Sequence, residues 1–166
     1  MLSGLWIGLG ACAAWAAILL HASRRPAARL WPPRRPTVLT VVWSWGLTIA
    51  IYVGLVRLGS AEGNVLDLPQ ALRWGLGGAL TVGGSLLQSW GTATLGLKAT
   101  SGWPAPRATR GPYRVMSHPQ YAGQAASFAG IALISGGALV WIVALAGALA
   151  LAFAARVEHV HLPPRG

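Results

Sequence analysis

The chain has 166 residues, of which 54% are hydrophobic and only 10% are charged, so it has the length of one domain but too few charges to cover a water-facing surface. These proportions exclude an ordinary soluble enzyme and predict an integral membrane protein of the all-α class, in contact with membrane lipids. The net charge of +10 would suit nucleic-acid binding in a soluble domain, but here the basic residues cluster between apolar runs, as topology signals do. We therefore expect no nucleic-acid partner.

The first apolar run, at about residues 2–20, is long enough to cross a bilayer. No lysine or arginine precedes it, which favours a retained helix over a cleaved signal peptide. Gly4, Gly8 and Cys12 recur every four residues and predict a stripe of small residues that another helix can approach closely. Cys12 is the single cysteine, so it forms no internal disulfide.

Two further spans are predicted at about residues 37–56 and 74–97. Residues 21–36 hold five arginines and four prolines, a composition typical of an exposed cytoplasmic loop that is not helical throughout. Residues 57–73 mix acidic and basic side chains and are expected to face outward.

The predicted third span carries polar side chains at helical spacings of four, three and four residues. Polar groups are costly against lipid, so this face should point into the bundle, where it binds neighbouring helices or lines a cavity. The span is also rich in glycine, which fits close helix contact better than a dinucleotide-binding loop because no strand precedes it. The polar residues are Thr81, Ser85, Gln88 and Thr92, and the glycines are Gly75, Gly77, Gly78, Gly83 and Gly84.

Residues 98–118 form a second basic loop, and the run that follows is almost wholly apolar except for Ser135-Gly-Gly. That tripeptide predicts the turn of a helical hairpin, with spans at about 119–134 and 138–155. Lysine and arginine are concentrated in the two basic loops and the tail. The positive-inside rule then predicts a bundle of five transmembrane helices with an outer N terminus and a cytoplasmic C terminus.

Side chains capable of chemistry gather at residues 110–123. Pro119 suits the first position of a helix and places His118 at the helix mouth, where free amides and the helix dipole favour an anion such as a ligand carboxylate. Glu158 is the one carboxylate expected on the cytoplasmic side. If the last two helices fold back on each other, the offset between the two sites is roughly 7 to 8 Å along the axis. His118, Tyr121 and Glu158 are therefore predicted to share a pocket.

Simpler roles stay open for the same residues. Arginines beside a span often only set its orientation, which applies to Arg107, Arg110 and Arg114. The two histidines that follow Glu158 are spaced i, i+2 and lie on different helical faces, which argues against a metal site. Glu158 by itself also suits a solvated acid at a helix end.

Residues 111–123 read Gly-Pro-Tyr-Arg-Val-Met-Ser-His-Pro-Gln-Tyr-Ala-Gly, and Glu158-His159 is followed by Leu162. These motifs resemble those of the isoprenylcysteine carboxyl methyltransferase and phospholipid N-methyltransferase group, which carry Gly-Pro-Tyr-Arg-x-x-Arg-His-Pro-x-Tyr-x-Gly before a helical hairpin and a Glu-Glu pair after it. The resemblance covers about residues 97–162. Ser117 replaces the family's arginine, His159 replaces its second acid, and the chain stops at Gly166 where many relatives continue with a further helix.

The resemblance implies S-adenosyl-L-methionine bound among the last helices and a lipophilic small-molecule acceptor that enters from the bilayer. Ser117 is expected to cap the helix, with Arg114 or Arg110 replacing the lost charge. Methyl transfer needs chiefly in-line positioning in a water-poor site, so no protein nucleophile is required. By position, the resemblance assigns cofactor binding to His118, Pro119, Tyr121, Gly123, Gln124, Glu158 and His159, catalysis to Arg114 and Glu158, and no metal.

The favoured hypothesis is thus a membrane-embedded methyltransferase that uses S-adenosyl-L-methionine. Two alternatives stay open: a reductase related to the sterol reductases, which share a similar helical scaffold but use NADPH, and a non-catalytic membrane protein that keeps the scaffold for assembly or lipid binding.

Overall fold

The computed structural model describes residues 2–106 and 108–161, with side chains described as far as residue 160. Within these residues the secondary structure is helical and contains no strand, so the all-α prediction is confirmed. Arg107, Leu162 and Gly166 lie outside the described residues. The helices are α1 Leu2–Arg24, α2 Val38–Glu62, α3 Gly77–Leu95, α4 Leu97–Thr100, α5 Pro119–Ser135 and α6 Ala138–His161, with a π-helical turn at Leu72–Leu76 and 3₁₀ turns at Pro26–Ala28 and Gly111–Arg114.

Three helices, α1, α2 and α6, are long and apolar enough to cross a membrane. The predicted third and fourth spans correspond to α3 and α5. At 17 residues, α5 is roughly 26 Å long, somewhat less than a hydrocarbon core of roughly 30 Å. The bundle of five spans and its closing hairpin therefore stay predictions. The three long apolar helices agree with the prediction of a membrane protein.

Three helices continue well beyond the predicted ends of their spans. α1 extends past residue 20 to Arg24, α2 past residue 56 to Glu62, and α6 past residue 155 to His161. The spans were predicted from hydrophobicity, whereas the helices continue through charged residues. α2 ends at Glu62, before the C-cap residue Gly63, whose φ of 71° is unfavourable for other residues. The extension of α6 brings Glu158 into a regular helix.

The small-residue stripe of α1 packs against α2 and α6, as predicted. A Cβ added to Gly4 would lie 2.8 Å from the backbone nitrogen of Leu58, and one added to Gly54 would lie 2.6 Å from the Cα of Gly8. Cys12 is buried as a free thiol in the same core. The absence of side chains at these glycines is what lets the α1 and α2 backbones touch.

α3 and α5 approach each other even more closely. A Cβ on Gly84 would lie 2.5 Å from the carbonyl oxygen of Gly123, and a Cβ on Gly123 would lie 2.5 Å from the carbonyl oxygen of Gly84. Gly77 packs in the same way against Gly130 and Ile134. Close contact is thus confirmed for Gly77 and Gly84. The prediction of close contact is wrong for Gly75, Gly78 and Gly83, where an added Cβ would meet no neighbouring group within 4 Å.

The ends of the helices away from the basic loops are joined by polar contacts. Glu62, the last residue of α2, accepts hydrogen bonds from the amides of Leu139 (3.0 and 3.1 Å) and Val140 (3.3 Å) in the first turn of α6. Arg73 donates through Nε to the carbonyl oxygen of Ile134 near the end of α5, at 2.8 Å. Both contacts place a charge where it complements a helix dipole.

Replacing Glu62 by glutamine should lower the free energy of unfolding by about 0.5–1 kcal/mol, because the charge that complements the N terminus of α6 is lost while one acceptor oxygen stays. Thermal unfolding of the detergent-purified protein measures this loss of stability. Asp67→Asn is the matched control, since Asp67 is exposed and asparagine tolerates its φ of 48°. Equal destabilisation by the two variants would contradict a capping role for Glu62.

Candidate functional site

Three side chains, one from the first basic loop and two from the start of α5, converge on the carboxylate of Glu158. Its Oε1 accepts a hydrogen bond from the indole Nε1 of Trp31 at 2.8 Å and another from the hydroxyl of Tyr121 at 2.5 Å. Its Oε2 lies 3.2 Å from Nδ1 of His118, and the His118 and Glu158 side chains are only 15% and 17% exposed. We call these four residues the Glu158 cluster.

The beginning of α5 and the end of α6 position this cluster. Pro119 is the first residue of α5, His118 is its N-cap, and Tyr121 lies one turn further. The His118 and Tyr121 rings stack, with centroids 5.6 Å apart and planes 12° from parallel. The sequence predicted an axial offset of roughly 7 to 8 Å between the sites of His118 and Glu158. The two side chains instead touch directly, because both extend toward each other across the helix ends.

Trp31 is the member of the cluster that sequence reasoning missed. It lies in the first basic loop, which was predicted to be exposed, yet Trp31 itself is only 3% exposed. Its ring meets Trp15 of α1 and Trp43 of α2 edge to face, at centroid distances of 5.3 and 5.8 Å. The exposure prediction is therefore wrong at Trp31, because packing against two other indoles outweighs the basic character of the surrounding loop.

A narrow crevice of about 40 Å³ lies beside the cluster, among α2, α3 and α5. Trp31 and Tyr121 form part of its wall, so the crevice reaches two of the donors that hold Glu158. An open groove of about 430 Å³ adjoins it and shares Trp45, Gln88 and Thr92 with it. The hydrogen-bonding side chains that line the crevice are Ser44, Thr48, Gln88, Thr92, Thr100, Gln120 and Gln124.

The polar face of α3 points into the bundle, as predicted. Gln88 accepts a hydrogen bond from the hydroxyl of Tyr52 on α2 at 3.0 Å, and the Ser85 and Ser127 hydroxyls are 3.2 Å apart across α3 and α5. Thr92 lines both the crevice and the groove. The two expected uses of this face, contact with other helices and lining of a cavity, therefore both occur.

Tyr113, in the 3₁₀ turn that precedes α5, donates a hydrogen bond to Oε1 of Gln120. The pKa of the Tyr113 hydroxyl is raised to about 12, chiefly by burial and to a smaller extent by the charge of Glu158, while the hydrogen bond to Gln120 partly offsets the rise. The hydroxyl is therefore protonated at neutral pH and fixes the orientation of the Gln120 amide at the crevice wall.

One polar atom of the cluster has no partner among the described residues. Nε2 of His118 is buried and makes no hydrogen bond, although its ring is held on the other side by Glu158. Buried polar atoms in proteins nearly always have a partner, so an unpaired one needs an explanation. The buried Nε2 therefore leaves one hydrogen-bonding position of the Glu158 cluster open to a polar ligand group.

The remaining predicted site residues lie around the cluster. Pro119 and Gly123 are buried against α3, and Gln124 lines the crevice. Arg114 and His159 are exposed, and among the described residues no hydrogen bond or ion pair joins either side chain to the cluster. The assigned cofactor-binding and catalytic roles stay predictions for these residues and for the members of the Glu158 cluster alike. In the part of the chain that the structure describes, no three metal-ligating side chains group together.

These features define a helical membrane protein with a polar site at one end of its helices. A family model described as phospholipid methyltransferase matches residues 72–164, more than half of the 166 residues, and the chain belongs to this family. No curated protein and no solved structure shows a significant match. The match includes His118, Tyr121 and Glu158 but not Trp31, and it gives no support to the reductase alternative.

Proposed function

We propose that the chain is a membrane-embedded methyltransferase that uses S-adenosyl-L-methionine and acts on a small lipophilic acceptor from the bilayer. The observation that supports this most directly is the Glu158 cluster, in which an aromatic ring, an imidazole and a carboxylate meet beside a crevice. In a methyltransferase family, these are suitable groups for a cofactor that carries a carboxylate, an ammonium group and a sulfonium centre.

Each group in the cluster has a matching part of the cofactor. Glu158 and the Tyr121 ring suit the ammonium or sulfonium charge, through charge-assisted hydrogen bonding and cation–π contact. The N terminus of α5 suits the carboxylate. If Nδ1 of His118 donates its proton to Glu158, Nε2 is left as an acceptor for a ribose hydroxyl or an ammonium proton.

When bound, S-adenosyl-L-methionine supplies an electrophilic methyl group on sulfur. The protein's task is to hold this group in line with the acceptor and to exclude water, which the apolar helices around the cluster favour. Of the three acidic residues in the sequence, Glu62 and Asp67 lie at the other end of the helices. Glu158 is thus the carboxylate that takes the proton of an acceptor that must lose one.

We place this site on the cytoplasmic side of a bundle of five spans. The first basic loop contributes Trp31, and the second ends at His118, so both loops meet at the cluster. Lysine and arginine are enriched in the cytoplasmic loops of membrane proteins. With α5 and α6 as a membrane hairpin, the C terminus would also be cytoplasmic.

Isothermal titration of the detergent-purified full chain tests the cofactor. We expect saturable, equimolar binding of S-adenosylhomocysteine or S-adenosyl-L-methionine and no binding of NADPH. The absence of saturable binding of either methionine derivative would overturn the proposal. Saturable binding of NADPH alone would favour the reductase.

The hydrogen bond from Trp31 to Glu158 gives a more specific test. Trp31→Phe keeps most of the ring packing but removes the Nε1 donor, which should lower stability by about 1–2 kcal/mol and weaken S-adenosylhomocysteine binding. Trp43→Phe is the matched control, because Trp43 packs on Trp15 and Trp31 in the same group of three indoles, but its Nε1 makes no hydrogen bond within the described part of the chain. Equal loss of binding in the two variants would show that Trp31 contributes packing alone.

A further inference from the structure

The open groove is formed mainly by α3 and the beginning of α4, with Trp45 of α2 as its opposite wall. The Trp45 indole is held in place because its Nε1 donates to Oγ of the fully buried Ser101, at 2.9 Å. Ala93, Leu97 and Ser89 line the groove and are exposed, so its outer side is open and mainly apolar. The groove is therefore a preformed entrance with one fixed aromatic wall.

The groove leads inward to the Glu158 cluster. It shares Trp45, Gln88 and Thr92 with the crevice, and the crevice includes Tyr121, whose hydroxyl is bonded to Glu158. The lining changes from apolar outside to amide and hydroxyl groups inside. A molecule with an apolar chain and a small polar head fits this order, with the head next to the proposed methyl donor.

The lining of both spaces contains no charged side chain among the described residues. Lys98 follows the last lining residue of the groove, but its side chain is exposed and is not part of the wall. The amine of phosphatidylethanolamine is separated from its phosphorus by two carbons and one oxygen. To place that amine at the cluster, the phosphate would have to lie among the neutral side chains that line these spaces in the described part of the chain, which is costly.

We infer that this groove binds the methyl acceptor and that the acceptor is an uncharged amphiphile with a hydroxyl head, rather than a phospholipid. In the proposed transfer, the hydroxyl oxygen would bond to the methyl carbon as the carbon–sulfur bond breaks, the hydroxyl proton would pass to Glu158, and S-adenosylhomocysteine would leave. This inference rests on the proposed methyltransferase function, because the groove is an acceptor site only if the chain transfers methyl groups. Binding of the acceptor to the groove can still be measured without the cofactor.

The test uses two photoreactive probes with the detergent-purified full chain: a diazirine-bearing long-chain alcohol and a diazirine-bearing phosphatidylethanolamine of equal chain length. Mass spectrometry locates the labelled residues. We expect saturable labelling of residues 88–97 by the alcohol. Ala93→Phe, which fills the groove, should weaken this labelling by about tenfold or more. Ala79→Phe is the matched control, because Ala79 is exposed on the same helix but outside the groove lining.

Failure to obtain saturable labelling by the alcohol, or equal loss in the Ala93 and Ala79 variants, would overturn the groove as the binding site. Stronger saturable labelling of the groove by phosphatidylethanolamine would overturn the uncharged head. S-adenosylhomocysteine titration is run on the same preparations. Its failure alone would remove the proposed cofactor and leave the labelling result intact, so the two proposals are tested separately.

Discussion

Glu158→Gln should weaken the binding of S-adenosylhomocysteine by about 100-fold, roughly 2.7 kcal/mol, because a buried charge-assisted contact is removed. Glutamine has the length of glutamate and keeps a carbonyl oxygen that can accept from Trp31 and Tyr121. The fold should therefore persist while the charge at the site is lost. Isothermal titration measures the affinity, and thermal unfolding of the same sample measures the fold.

Asp67→Asn is the control for this variant, since it removes a carboxylate charge from an exposed residue at the other end of the helices. It should leave both the affinity and the unfolding temperature unchanged. If Glu158→Gln binds as tightly as the unmodified chain, the carboxylate does not contact the cofactor and the proposed site is wrong. If both variants weaken binding equally, the effect comes from net charge and not from the cluster.

The meeting of His118 with Glu158 could be predicted because it depends on regular features of helices. A proline fixes one helix start, a glycine turn fixes where the chain reverses, and a constant rise per residue sets the distance between the far ends. In the structure α5 starts at Pro119 and ends before Gly136, which has a φ of 68°. These local rules placed an imidazole and a carboxylate 40 residues apart in the chain at the same end of the helices.

Trp31 could not be predicted in the same way. Its position depends on how an irregular loop folds back over α1 and α2, and a loop has no periodicity from which a contact can be derived. The useful signal was the residue type itself. A tryptophan among arginines and prolines exposes a large apolar surface to water unless it packs against other groups. Trp15 and Trp43 provide that packing.

The glycines of α3 show a similar limit. Composition predicted that α3 packs closely, but which glycines make contact depends on the rotation of the helix relative to α5. Gly77, Gly84 and Gly91 recur every seven residues and form the contact. A period of seven keeps residues on one side of a helix over two turns, so this spacing was the information that a simple count of glycines left out.

Gly84→Ala should lower the free energy of unfolding by about 2–3 kcal/mol, because overpacked contacts of this kind force the backbone to move. The new Cβ would lie 2.5 Å from the carbonyl oxygen of Gly123 and 2.7 Å from the amide nitrogen of Ser127, and both are backbone atoms that cannot rotate away. α5 must then shift away from α3. Since the start of α5 carries His118 and Tyr121, S-adenosylhomocysteine should also bind more weakly.

Gly83→Ala is the neighbouring control, since a Cβ at Gly83 meets nothing within 4 Å. Alanine is the better helix former, so this variant should be neutral or slightly more stable. Thermal unfolding and S-adenosylhomocysteine titration of both variants in the same detergent give the comparison. If Gly84→Ala is as stable as Gly83→Ala, the α3 and α5 backbones are not in contact, and the positions of His118 and Tyr121 that depend on this contact would have to be revised.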